Sequence, residues 1–255
     1  MKAKYPVEAL ALSMILFSTN MKDAFVAGAL LLFAVTFAMF LKNLLIMRIP
    51  RWSSVCCVAL LTATVCASVF QLGFYYLNME LSWINYLLTW VVGLLAAKHV
   101  LQNERMDSYG ELFYEMAVGW AIFLVLSMCR EFVSFGSIAG NHAADFEFTT
   151  KSFQKVMFGY LTAGMGVGFT NGILKTSFDR SSAFVIPFAV AVGYPPITLK
   201  TYPQAAVIVA GVFVTVVCLY SIQKRIAFSD TGKAYRKIPV QMLSLGFLYM
   251  ILSIF

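Results

Sequence analysis

Arg130 and Glu131 close a hydrophobic run and lead into Gly136, Ser137 and Gly140, placing an opposite-charge pair where an apolar helix meets a glycine-punctuated turn. Ionisable groups at the edges of apolar segments are costly to desolvate, so they are candidates for function. Lys98-His99, at the end of another apolar run, marks either an ion or proton mouth or a pair snorkelling to an interface. Glu111 and Glu115 are four residues apart and share one face at a helix start, where they would attract cations or face solvent. Asn20 and Asn171 are polar groups beside stretches that break helices. The chemistry within reach of this set is ion binding and ion passage. No Ser-His-Asp pattern, paired catalytic carboxylates or P-loop accompanies it.

The cysteines add no obvious metal centre. Cys56, Cys57, Cys66, Cys129 and Cys218 lie inside apolar segments, none forms a C-x-x-C, and no His or Cys stands at metal-ligand spacing. They read as small buried or lipid-facing side chains. Gly164-x-Gly166-x-Gly168 follows no strand of a βαβ unit, so it reads as a small-residue packing surface rather than a dinucleotide loop.

The elements that carry these residues are membrane helices. With 60% hydrophobic and 12% charged residues, the chain has the composition of an integral membrane protein. Apolar runs predict spans near 24–47, 53–77, 82–101, 111–133 and 201–222, each close to the roughly 17–25 residues a crossing helix needs. A final hydrophobic segment is expected near 238–255. The first apolar run, Ala9 to Asn20, is too short to cross alone, and no small-x-small cleavage pattern follows it, so a short helix over about 5–20 is expected to remain. Val156–Leu174 is rich in glycine and Ser181–Thr201 in proline; neither reads as an ordinary span, and the second predicts an irregular or re-entrant connection.

If six segments cross, 12 of the 19 basic residues fall in short loops on one side, including Lys42, Arg48, Arg51 and Lys98. The positive-inside rule then puts the N-terminus in the cytoplasm. The net charge of +7 is accounted for by topology, and no nucleic-acid footprint is expected. The first and fourth segments are both marginal and interrupted midway by small or polar residues. Three segments per half, two of them half-helices, would form a 3+3 inverted repeat, with the C-terminal helix as an addition.

The run Arg130 to Gly140 resembles an R-E…G-[ST]-[LI]-x-G element of the Rnf/Nqr family, the small membrane subunits of ion-pumping NADH:quinone and ferredoxin:NAD oxidoreductases. The likeness continues in Ile49-Pro50 with Val55–Tyr76, in Ile84–Val92 and in Pro203–Val214, covering about 5–140 and 201–222. Two units follow: a family-like membrane domain over 1–222 with a Gly/Pro-rich insert near 150–200, and a basic turn with a hydrophobic helix over 223–255.

What the resemblance implies is specific. Family subunits pair with a homologous inverted subunit, and each supplies two cysteines to a shared [2Fe–2S] cluster, a four-thiolate set. Here those positions are Ser13 and Leu94, and no cysteine precedes Cys56 or lies between Cys66 and Cys129. The chain is therefore expected to hold no cofactor, with cluster and flavins in partner subunits of a respiratory complex in a bacterial cytoplasmic membrane. Arg130, Glu131, Gly136, Lys98 and Asn20 are the expected structural or ion-path residues. A stand-alone inverted-repeat transporter and a membrane assembly factor are the alternatives.

Overall fold

The structure, a computed structural model, describes residues 5–45, 48–102, 109–139, 141–142, 151–176, 182–196, 203–225 and 239–252. Among these, five helices are long and apolar enough to cross a membrane: α2 (Met21–Leu45), α3 (Arg51–Tyr76), α4 (Trp83–Gln102), α5 (Tyr109–Phe135) and the Gln204–Ile222 part of α9 (Gln204–Arg225). The shorter helices are α1 (Val7–Phe17), α6 (Lys151–Gln154), α7 (Gly159–Leu174), α8 (Ser182–Gly193) and α10 (Val240–Leu252).

The ends of the spans follow from their residues. Pro50, which cannot continue a helix from before it, stands immediately ahead of α3. At the other end Asn78 takes a left-handed conformation, φ 52°, and the Met79 N–H reaches back to the Phe74 carbonyl at 2.9 Å. That bond closes a Schellman turn, a geometry asparagine tolerates better than most residues. Gly136, with φ 66°, ends α5 in the simpler left-handed turn, its own N–H on the Phe132 carbonyl at 2.8 Å. The chain then makes a small hairpin, pairing Ser137 with His142 and Ile138 with Asn141.

The centre of the molecule is α1. All eleven of its residues are buried, Glu8 and Ser13 included. A helix this short is marginal alone, so its stability comes from its surroundings. It packs against α7, α4 and α2. Close approach is made possible by glycine: a Cβ on Gly159 would lie 2.3 Å from the Ile15 carbonyl oxygen, and one on Gly166 would meet the Met14 sulfur at 2.6 Å. Likewise Gly93 of α4 sits against the Ala63 Cα of α3. Small residues at helix contacts are the usual means of packing where lipid removes a hydrophobic drive between helices.

Three contacts fix the register of α1. Tyr5 N–H donates to Glu115 Oε2 at 3.0 Å, Leu10 lies against Gly119, and Met21 N–H donates to Glu131 Oε2 at 2.7 Å. Sixteen residues separate the first and last partners on both strands of the chain, so α1 and its flanks run parallel to α5 over about 24 Å. The helix and its flanks thus reach across most of the roughly 30 Å of a hydrocarbon core.

Two expectations need amendment. The fourth segment, expected as a broken half-helix, is a continuous helix of 20 residues, so α1 alone has the short form expected of both. The proline-rich stretch, expected to be an irregular or re-entrant connection, is helical over Ser182–Gly193, with Pro187 inside α8, and the glycine-rich stretch forms α7 over Gly159–Leu174. In α7, packing on α1 and α10 offsets the weak helix propensity of its glycines.

Candidate functional site

The buried charged side chains among the described residues, Glu8, Lys42, Arg130 and Glu131, lie towards the two ends of α1. At the end near the α1–α2 elbow, Arg130 is buried, 2% exposed, and its donors converge on three acceptors. Nε donates to the Phe153 carbonyl at 3.0 Å, one terminal nitrogen to the Lys155 carbonyl at 2.7 Å, and the other to Ser18 Oγ. The Phe158 ring lies 5.4 Å from the guanidinium carbon, and Ser18 also shares a hydrogen bond of 2.9 Å with Thr162 of α7. A buried guanidinium is tolerable when its planar fork is filled, and here it ties α5 to α1 and to the segment leading into α7.

Glu131 turns to other partners. Its carboxylate accepts the Met21 N–H at the start of α2, a free donor of the helix N-terminus, and the Ser137 hydroxyl of the hairpin at 3.4 Å. The expected interfacial ion pair between Arg130 and Glu131 is therefore replaced by two buried anchors that fasten different elements. Asn20 is exposed at the elbow and donates to Asp23 at 3.3 Å, so it serves the start of α2 rather than an internal cavity.

At the opposite end, Lys98 does more than reach for solvent. Its ammonium lies 3.2 Å and 3.3 Å from the two oxygens of Glu8, on α1. The Tyr5 hydroxyl donates to Asn171 Oδ1 at 2.8 Å, and Thr176 donates to the same oxygen at 2.7 Å. Burial, with Glu115 adding to it, raises the Tyr5 phenol well above its ordinary value, which keeps it a donor. Lys42 of α2, buried as well, donates to the Val100 carbonyl near the end of α4 at 2.9 Å. This set joins α1, α2, α4, α5 and α7.

Sequence reasoning singled out Lys98, Arg130, Glu131 and Gly136 and missed Glu8, Tyr5, Ser18 and Lys42. Glu8 had a visible signal: it is the lone charged residue of α1, immediately before the apolar run that begins at Ala9. Glu115 had been paired with Glu111 by spacing; Glu111 is exposed, whereas Glu115 accepts from Tyr5.

The resemblance puts its two cluster positions at Ser13 and Leu94. Ser13 is fully buried inside the bundle and its hydroxyl has no hydrogen-bond partner, whereas Leu94 is 43% exposed on the outer surface of α4. A hydroxyl and an alkyl group facing different surroundings do not make a pair of cluster ligands. A [2Fe–2S] cluster does not fit these residues.

No protein-family model matches the chain, no curated protein is similar to it, and no solved structure shares its fold at a significant level.

Proposed function

We propose that this chain is a membrane subunit of the Rnf/Nqr type, working inside an ion-translocating electron-transport complex without iron–sulfur ligands of its own. The observation that supports this most is the placement of Arg130 and Glu131. The element on which the family resemblance rests holds both flanks of the α1–α2 elbow, through Ser18 and through the Met21 N–H. It thereby positions the short helix that carries Ser13, the first cluster position of the resemblance.

In this reading the subunit contributes scaffold and part of an ion path, with Na⁺ or H⁺ as the ion. Electrons pass through a cluster and flavins held by partners, among them a homologous membrane subunit of opposite orientation. The membrane is the bacterial cytoplasmic membrane and the N-terminus is cytoplasmic. The bias of basic residues supports that orientation: Arg48 and Arg51 lie at the same end of the bundle as Lys42 and Lys98, and α7 brings Lys175 to that end too.

A second reading is favoured by a different observation. α1 is enclosed entirely by helices of its own chain, so its burial requires no partner. That suits a stand-alone transporter.

Purification of the tagged chain from its native membrane in mild detergent separates the two readings. Mass spectrometry of co-purifying proteins, with iron and flavin assays on the same sample, should recover homologous membrane subunits and flavoproteins. Recovery of the chain alone, free of iron and flavin, would overturn the first reading and direct attention to transport in liposomes.

A further inference from the structure

We propose that the outward face of α3 is a contact between two copies of this chain, made through Gln71 and Ser68 within the membrane. The inference stands apart from the respiratory-complex reading above and adds a partner to it.

α3 has two faces of different character. Val58, Thr62, Cys66 and Phe70 are buried on the side that packs against α2 and α4. On the opposite side Cys57, Leu60, Thr64, Ser68 and Gln71 follow one another at steps of three or four residues, so they form one stripe along the helix. Leu60, Ser68 and Gln71 are exposed, and Cys57 and Thr64 partly buried. Thr64 satisfies its own hydroxyl on the Leu61 carbonyl at 3.0 Å. Ser68 and Gln71 have no hydrogen-bond partner among the described residues.

Depth makes that lack costly. Trp52 and the Tyr75–Tyr76 pair are exposed at the two ends of α3, where amphipathic rings mark the membrane–water interfaces. Trp52 and Tyr75 are about 35 Å apart along the axis, close to the roughly 30 Å of a hydrocarbon core. Gln71 lies about 6 Å and Ser68 about 10 Å inside Tyr75. Helical side chains lean towards the N-terminus of their helix, so Gln71 leans into the hydrocarbon rather than out to the nearer interface. An amide turned to acyl chains has no partner there. The outer faces of α5 and α9 show what lipid alone calls for, with Val125 and Phe213 exposed near their middles. Polar side chains that bond across helices are a common means of association in membranes.

The choice of a second copy follows from the chemistry of the stripe. Copies inserted in the same direction meet about a two-fold axis normal to the membrane, so α3 runs beside α3 and each residue faces its own counterpart. A carboxylate or an ammonium would meet a like charge; the stripe carries neither. An amide and a hydroxyl both donate and accept, so Gln71 and Ser68 can each satisfy the same residue of the second copy.

The test is disulfide cross-linking of the full chain in its native membrane, with Cys56, Cys57 and Cys129 replaced by alanine. Ser68→Cys in that background should give a covalent product of twice the mass of the chain. Val209→Cys, on the exposed face of α9, should not. Association of dye-tagged chains, read by energy transfer on dilution in liposomes, should weaken roughly 3–30-fold in Gln71→Leu. It should weaken less in Gln71→Asn, which keeps an amide. Leucine suits a lipid-facing position, and an unchanged circular dichroism spectrum verifies that the fold is retained.

A cross-link from Ser68→Cys to a protein of another mass would assign the face to a different subunit and overturn the proposal. So would equal cross-linking at positions 68 and 209, no product at all, or an association that Gln71→Leu leaves unchanged. None of these outcomes depends on co-purifying flavoproteins, so this proposal and the respiratory-complex reading fail separately.

Discussion

Met21 and Glu131, 110 positions apart in sequence, meet through a 2.7 Å hydrogen bond from the Met21 N–H to a carboxylate that is almost wholly buried. The bond places an anion on the N-terminus of α2, where the helix dipole favours it. It also fixes the point at which the chain turns from α1 into its first long span.

Glu131→Ala should therefore destabilise the protein, because the partly buried Met21 N–H and the Ser137 hydroxyl both lose their acceptor. A loss of about 1–3 kcal/mol is expected. Glu131→Gln, which keeps an acceptor oxygen but loses the charge, should cost less. Thermal unfolding in detergent checks the order; equal losses would show that the carboxylate does not cap α2.

The indole of Trp120 lies against Gly28: a Cβ there would come within 2.1 Å of the ring. Gly28→Ala is expected to displace the indole and destabilise the α2–α5 contact by about 1–3 kcal/mol, the usual cost of overpacking. Gly172→Ala is the matched control. It faces open space on α7, and alanine there should be neutral or stabilising by up to about 1 kcal/mol. Urea or thermal unfolding compares the two.

Gly136 holds a positive φ at the end of α5. Gly136→Ala should cost about 1 kcal/mol through backbone strain, and Gly136→Asn less, since asparagine visits that region more readily. The comparison is again read from unfolding midpoints; similar values for both substitutions would place the constraint elsewhere.

Introducing the missing cluster ligands should not create a cluster. Ser13→Cys with Leu94→Cys places one thiol inside the bundle and the other on its outer surface. The purified double variant, reconstituted with iron and sulfide, is expected to show no iron–sulfur absorption above the unmodified chain. A stoichiometric cluster would mean that the two positions face a common site.

How much of this was legible in the sequence depended on the physics of each segment. The long spans were, because an uninterrupted apolar run has one stable outcome in a bilayer: the expected 24–47 and 53–77 became Met21–Leu45 and Arg51–Tyr76. α8 was not, because its proline weakens helix propensity while tertiary packing decides the result, and for α7 the small-residue packing surface was legible but not the helices it meets. Gly159 and Gly166 lie against α1, and Gly164 against Leu243 of α10. Of the candidate site, the Arg130–Glu131–Gly136 element was visible as charge followed by glycine. Its acceptors were not, since two of them are backbone carbonyls at Phe153 and Lys155, which carry no sequence signature. Lys98 was visible, but its contact with Glu8, 90 residues away, was not.

The enclosure of α1 has a consequence for biosynthesis. Its neighbour α7 begins at Gly159, so about 140 residues of chain emerge from the ribosome between the two, taking roughly 7–30 s at ordinary elongation rates. During that interval the face of α1 that later receives Gly159 and Gly166 has no cover from its own chain. A nascent protein halted before α7 should therefore expose a membrane-embedded apolar surface, a natural substrate for insertion chaperones and for quality-control proteolysis.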